Sequence, residues 1–173
     1  MGRRILMVVA PKNFRDEEFI IPKQVFENSG FEVIVASKGV KQVTGMFDAI
    51  IRVDIDIEKV DVTDYEVIVF VGGSGSSIYY EDKTALELGK LFYENGKITA
   101  AICIAPGILA KAGILKGKNA TIWDSGEGNF IKMLEEEEAK YTGANVESDG
   151  KVVTANGPQA AKEFAEKIIE ILG

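Results

Sequence analysis

The sequence has no histidine among its 173 residues. This removes the side chain that titrates nearest neutrality, and with it any Ser-His-Asp or Cys-His machine contained in one chain. There is one cysteine, Cys103. An internal disulfide is therefore impossible, and no cluster of residues at metal-ligand spacing exists. A lone thiol fits a reducing compartment, so a cytoplasmic location is expected. No apolar run reaches the roughly 18 residues of a membrane span. The basic start Met1-Gly2-Arg3-Arg4 is followed only by the short run 5–10, then by charged and turn residues, which reads as a first strand and not as a signal peptide. Basic residues are outnumbered, 20 Lys and Arg against 27 Asp and Glu, for a net charge of −7. An acidic surface argues against a phosphate-dominated nucleic-acid partner. Neither nucleic acid nor membrane is expected as a partner. No metal or cofactor is implied by any motif. Abundant Glu and Lys hint at a thermophilic source.

Against these absences, apolar residues make up 46% and charged ones 27% of the chain. The length suits one domain over 1–173 with a full core. Short apolar, β-branched runs at 4–9, 31–36, 66–71, 98–102, 120–122 and 151–154 read as strands. Segments 41–46 and 50–53 alternate in polarity, as a small antiparallel excursion should. Helices are predicted from Asp16, taken as a cap, to Asn28, with Pro22 as a kink, and over 81–94, 106–112 and 158–172. The charge run 135–138 reads as a solvated helix face. The βαβ rhythm predicts an α/β fold with a mostly parallel sheet and helices on both faces.

Ligands of such sheets bind beyond the carboxyl ends of the strands, and three features fall there. In Thr99-Ala-Ala-Ile-Cys-Ile-Ala-Pro-Gly107 an apolar strand runs straight into Cys103, and a helix opens at Pro106. This is the layout of a nucleophile elbow with Cys in place of Ser. Amides at the start of the helix are expected to stabilise a thiolate and lower its pKa. The alternative is a buried structural cysteine. Val71-Gly-Gly-Ser-Gly75 also follows a buried strand. Its glycines allow close backbone approach, so that the N–H of Gly73, with that of Ile104, forms an oxyanion site. A plain βα turn is the alternative. Asp16-Glu17-Glu18 follows the first strand. A carboxyl beside a thiol in a poorly solvated pocket has a raised pKa and can exchange a proton with it. An ordinary acidic first helical turn would look the same.

Together these segments resemble the DJ-1/PfpI superfamily. The most specific matches are Ala101-Ile-Cys-Ile-Ala-Pro106, Ala112-Gly-Ile-Leu-Lys-Gly117, Gly72-Gly73, Glu18 four residues before Pro22, and Gly157-Pro158. The resemblance implies a flavodoxin-like three-layer sandwich, Cys103 as the reactive cysteine, Glu18 as its carboxyl partner, and the Gly73 and Ile104 amides facing the substrate oxygen, with Gly72 beside them. It also implies a homodimer or higher homo-oligomer. Three positions depart from the pattern. Ile104 stands where protease-like members carry histidine, Trp123 where the DJ-1 branch carries one, and Arg15 where protease-like members carry an acid. Asp124, beside Trp123, is a further candidate acid. The expected activity is a cofactor-independent, cysteine-dependent hydrolase or lyase acting on small reactive carbonyls or their protein adducts. The alternatives are an intracellular cysteine peptidase acting on peptides, a non-enzymatic redox-responsive or chaperone-like protein, or a pocket so apolar that the thiol is inert.

Overall fold

Five apolar runs become the parallel backbone of one sheet in a computed structural model that describes residues 2–173. In chain order the strands are β1 (Arg4–Val8), β2 (Lys12–Phe14), β3 (Glu32–Ser37), β4 (Gln42–Gly45), β5 (Ile50–Arg52), β6 (Ile55–Asp56), β7 (Val67–Phe70), β8 (Ile98–Ile102), β9 (Asn119–Ala120), β10 (Lys140–Tyr141), β11 (Val146–Asp149) and β12 (Val152–Ala155). The α-helices are α1 (Asp16–Asn28), α2 (Lys83–Glu94), α3 (Pro106–Lys111), α4 (Asn129–Glu136) and α5 (Ala161–Leu172).

The main sheet has the order β11-β12-β8-β7-β1-β3-β6. All its pairings are parallel except that of edge strand β11 with β12. From β1 the chain steps to β3 on one side, then returns to build β7, β8 and β12 on the other. The strand order thus reverses beside β1, the place where doubly wound sheets open a crevice. Residues 5–8, 67–70 and 98–102 are buried on both faces, as parallel strands covered by helices must be. Alternate residues divide between two cores. Ile5, Met7 and Val9 join Phe19 and Phe26 of α1 and Phe164 and Ile168 of α5. Leu6, Val8 and Ala10 join Leu88 and Phe92 of α2, Ile108 and Leu109 of α3, and Leu134 of α4. The result is the expected α/β sandwich of helix, sheet and helix.

Several local expectations are corrected. Asp16 does not cap α1; Arg15 holds the N-cap position and offers no side-chain bond. The Asp16 carboxylate instead accepts from Phe47 N and Ala49 N, both at 2.9 Å, and so ties α1 to the β4–β5 turn. Pro22 lies inside α1 without ending it. The hairpin β4–β5 is antiparallel as predicted, but it belongs to a separate three-stranded sheet with β2. The predicted strand 120–122 shrinks to β9, paired with β10 outside the main sheet. The predicted last helix begins as a 3-10 turn, Pro158–Ala160, before α5. No helix of the described residues is long and apolar enough to cross a membrane.

Candidate active site

Strand β8 ends at Ile102, and the next residue, Cys103, has φ 66°. A non-glycine residue in this left-handed region carries backbone strain, and such strain persists only where the surroundings over-determine it. The determinants are visible on both sides of the turn. Cys103 N donates to Ala155 O at 2.9 Å, and Trp123 N donates to Cys103 O at 2.9 Å. The Tyr80 hydroxyl donates to Ile104 O at 2.7 Å. Pro106 then opens α3 at its first turn, where the missing N–H costs nothing. The strand-turn-helix layout thus aims a thiol that is 9% exposed at the carboxyl end of the sheet.

Glu18 approaches from the second residue pair of α1 and is fully buried, at 0% exposure. Neither of its carboxyl oxygens has a hydrogen-bond partner of ordinary geometry among the described residues. Burial pushes the carboxyl up to about 8, although the nearby Cys103 thiol, the Arg15 charge and the Gly72 amide favour the charged form. Gly72 is what permits this approach. A methyl group there would stand 2.5 Å from Glu18 Oε1, from Cys103 Cβ and from Ile102 O. Gly73, at φ 106°, passes too close to the backbone of Phe14 and Arg15 for any side chain.

The thiol corrects an expectation. Burial, then the neighbouring Glu18 carboxyl, push Cys103 up to about 12. The N–H groups of Gly73 and Ile104 face the sulfur and act the other way, without prevailing. Amides at an elbow lower a thiol pKa only where they outweigh desolvation, and here the site is too dry and too near a carboxyl.

A pocket of about 420 Å³ opens over the thiol. Its wall brings together the predicted Cys103, Gly73, Ile104 and Trp123 with Arg15, Met46, Ser74, Ser77, Phe130, Pro158 and Gln159. Trp123 packs edge-on against Phe130 with ring centroids 5.7 Å apart. Asp124 is not brought into this wall. Its carboxylate accepts from the backbone N–H groups of Gly126, Gly128 and Phe130 at 2.8, 2.9 and 3.2 Å, and these contacts hold it below the usual carboxylate range despite some desolvation. Asp124 therefore organises the entry to α4. A larger groove of about 700 Å³ lies between α2 and Ile57–Lys59 and contains none of these groups. Of the wall residues missed by sequence reasoning, Ser74 and Gln159 follow the same rule as Gly73, standing just after strands at the carboxyl edge. Met46 and Phe130 carry no such signal.

The DJ-1/PfpI family model matches residues 3–171. The chain belongs to this family. Among DJ-1/PfpI relatives, protein MJ0967 of Methanocaldococcus jannaschii is 42% identical over 98% of this chain and 82% of its own length. Deglycase TK1284 of Thermococcus kodakarensis is 28% identical over 96% of this chain and 98% of its own length. The crystal structure of a ThiJ/PfpI domain protein from Brachyspira murdochii superposes with a TM-score of 0.93 at 33% identity, covering 98% of this chain and 95% of that one. The fold expected from the DJ-1/PfpI resemblance is therefore the fold of the chain.

Proposed function

We propose that this protein is a cofactor-independent enzyme that uses Cys103 to attack small reactive carbonyls or their protein adducts, with Glu18 as its proton-transfer group. One observation carries the reading: a buried, partnerless carboxyl raised to about 8 lies beside the only thiol of a chain that has no histidine. A carboxyl so displaced has the pKa at which general acid–base exchange near neutrality is efficient. The deglycase name of the Thermococcus kodakarensis relative supports the same direction.

The chemistry follows from the pair. Ionised Glu18 takes the thiol proton as sulfur bonds to the carbonyl carbon and the C=O π bond opens. The negative charge moves from sulfur to oxygen, where the Gly73 and Ile104 amides favour it. Glu18 then returns the proton to that oxygen, which gives a neutral hemithioacetal with all atoms and charges conserved. For methylglyoxal, Glu18 moves the proton from the former aldehyde carbon to the neighbouring carbonyl carbon through an enediol, giving the lactate thioester of Cys103 without net oxidation, and water cleaves that C–S bond to release lactate and the free thiol. Peptide cleavage asks for more, because the poor amine leaving group also needs a proton. Asp124, the second candidate acid, is committed to backbone donors and does not supply it.

The test is lactate production from methylglyoxal by purified protein. We expect it to vanish in Cys103→Ala and to fall at least about tenfold in Glu18→Gln, within the usual range for losing one acid–base group. Equal activity in Cys103→Ala overturns the proposal.

A further inference from the structure

The wall of the Cys103 pocket contains one charged side chain, Arg15. Its polar neighbours there, Ser74, Ser77 and Gln159, are neutral. The Arg15 backbone N donates to Gly72 O at 2.9 Å, which fixes it to the loop that carries the Gly73 amide. Its Nε and Nη2 both donate to Glu17 Oε2, at 3.0 and 2.9 Å. The guanidinium lies over the Phe47 ring, 4.7 Å from the centroid. These contacts hold the guanidinium plane and use one edge of it. Nη1 makes no hydrogen bond among the described residues. Glu17, the counter-ion, is outside the pocket wall.

A held, partly desolvated guanidinium with unused N–H donors recognises carboxylates, which accept two parallel hydrogen bonds from it. Nothing else in the wall carries a charge that repels an anion. Glu18 lies outside this wall and, with its carboxyl pushed up to about 8, is mostly protonated at neutral pH, so an anion meets its charge only in the minor ionised fraction that does the chemistry. We propose that Arg15 is a specificity-determining residue that selects carbonyl compounds carrying a carboxylate beside the reacting carbon, that is 2-oxo acids and their adducts, over uncharged dicarbonyls. This rests on the reading of Cys103 as a carbonyl nucleophile. It has a corollary for turnover. Lactate, the product of methylglyoxal conversion, carries the same carboxylate and inhibits competitively through Arg15.

The experiment reads binding without requiring turnover, so its outcome is separable from that of the parent proposal. Lactate and lactamide share one skeleton and differ in charge. Trp123, the only tryptophan, stands in the pocket wall and reports occupancy by fluorescence; thermal shift gives a second readout. Lactate is expected to bind at least about tenfold tighter than lactamide in the wild type, the scale of one charge-assisted hydrogen bond. Arg15→Gln brings the ratio to near one. Glu17→Gln, which leaves the guanidinium without its counter-ion, widens it; a purely structural Arg15–Glu17 pair predicts no widening. Equal binding of the two ligands by the wild type, no saturable response to lactate, or a preference that survives Arg15→Gln overturns the proposal. Should methylglyoxal be turned over with no preference for the anion, the carbonyl chemistry stands and the assignment of Arg15 falls.

Discussion

Glu18 and Cys103 occupy a site too dry to hold two charges. Their titrations are coupled, and the carboxyl raises the thiol. Removing the carboxylate should therefore ease thiolate formation while removing the group that moves the proton. Glu18→Gln is expected to react with iodoacetamide at least about threefold faster than wild type between pH 9 and 10, because half a pKa unit corresponds to that factor. The same variant loses turnover. Slower alkylation would mean that Glu18 promotes the thiolate and that the direction argued for Cys103 is wrong. At this scale the sequence was informative about which residues meet. Cys103, Gly72 and Gly73 stand within three residues of the end of a buried strand and Glu18 in the first turn of a helix, and that placement converges them. It was uninformative about the sign of the thiol shift. Amide donors are legible from a strand-turn-helix pattern, whereas the dryness of the pocket depends on Met46, Trp123 and Phe130, brought in from distant segments.

Among the elements, the long buried strands and amphipathic helices were legible because each satisfies its own periodicity. The short ones were not. Strand β2 is three residues long and β9 two, and both exist because a neighbouring segment offers backbone groups to pair with. Of helix α4 only the charged end was legible, in the run 135–138; its start was hidden for a related reason: Gly128, in the left-handed region at φ 82°, holds the N-cap position without a capping side chain. The acceptor for this entry is Asp124, several residues upstream. Asp124→Ala should lower the denaturant midpoint of unfolding, because the N–H groups of Gly126, Gly128 and Phe130 lose their common acceptor at the helix entry. Alkylation of Cys103 should stay within about twofold of wild type, since the Asp124 oxygens are occupied elsewhere. A tenfold loss of thiol reactivity would place Asp124 in the chemistry after all. Denaturant unfolding and alkylation kinetics on the same preparation decide it.

For the molecule as a whole, the missing histidine makes one titration stand out. Surface carboxyls such as the half-buried Asp56 and Asp124 and the exposed Asp61 are held below their ordinary range by backbone and hydroxyl donors, so their protonation belongs to the acid limb. Glu18 is moved the other way, from the ordinary 4.5 to about 8. Its folded form holds the proton more tightly than the unfolded chain does. The stability it contributes is fully present below about pH 4.5 and is lost as pH rises toward 8. The unfolding free energy is expected to fall across this window with a slope of at most about 1.4 kcal/mol per pH unit, the value for one proton. Glu18→Gln should flatten it. A slope unchanged in that variant would assign the proton elsewhere.

The elbow itself has a consequence for how the family site can change. Ile102, Cys103 and Ile104 pack with the core on the α1 and α5 side, whereas Ala101 and Ala105 pack with the core on the α2 and α3 side. The turn is thus a rivet through the sheet, gripped by both layers and pinned by Tyr80 from outside. A rivet cannot be re-aimed without loosening the plates it joins. Substitution therefore has little freedom at the nucleophile and much at the surrounding wall, where Arg15, Met46 and Phe130 come from the margins of separate elements. New selectivity in such a scaffold is acquired by replacing the walls around a reactive centre that stays where it is.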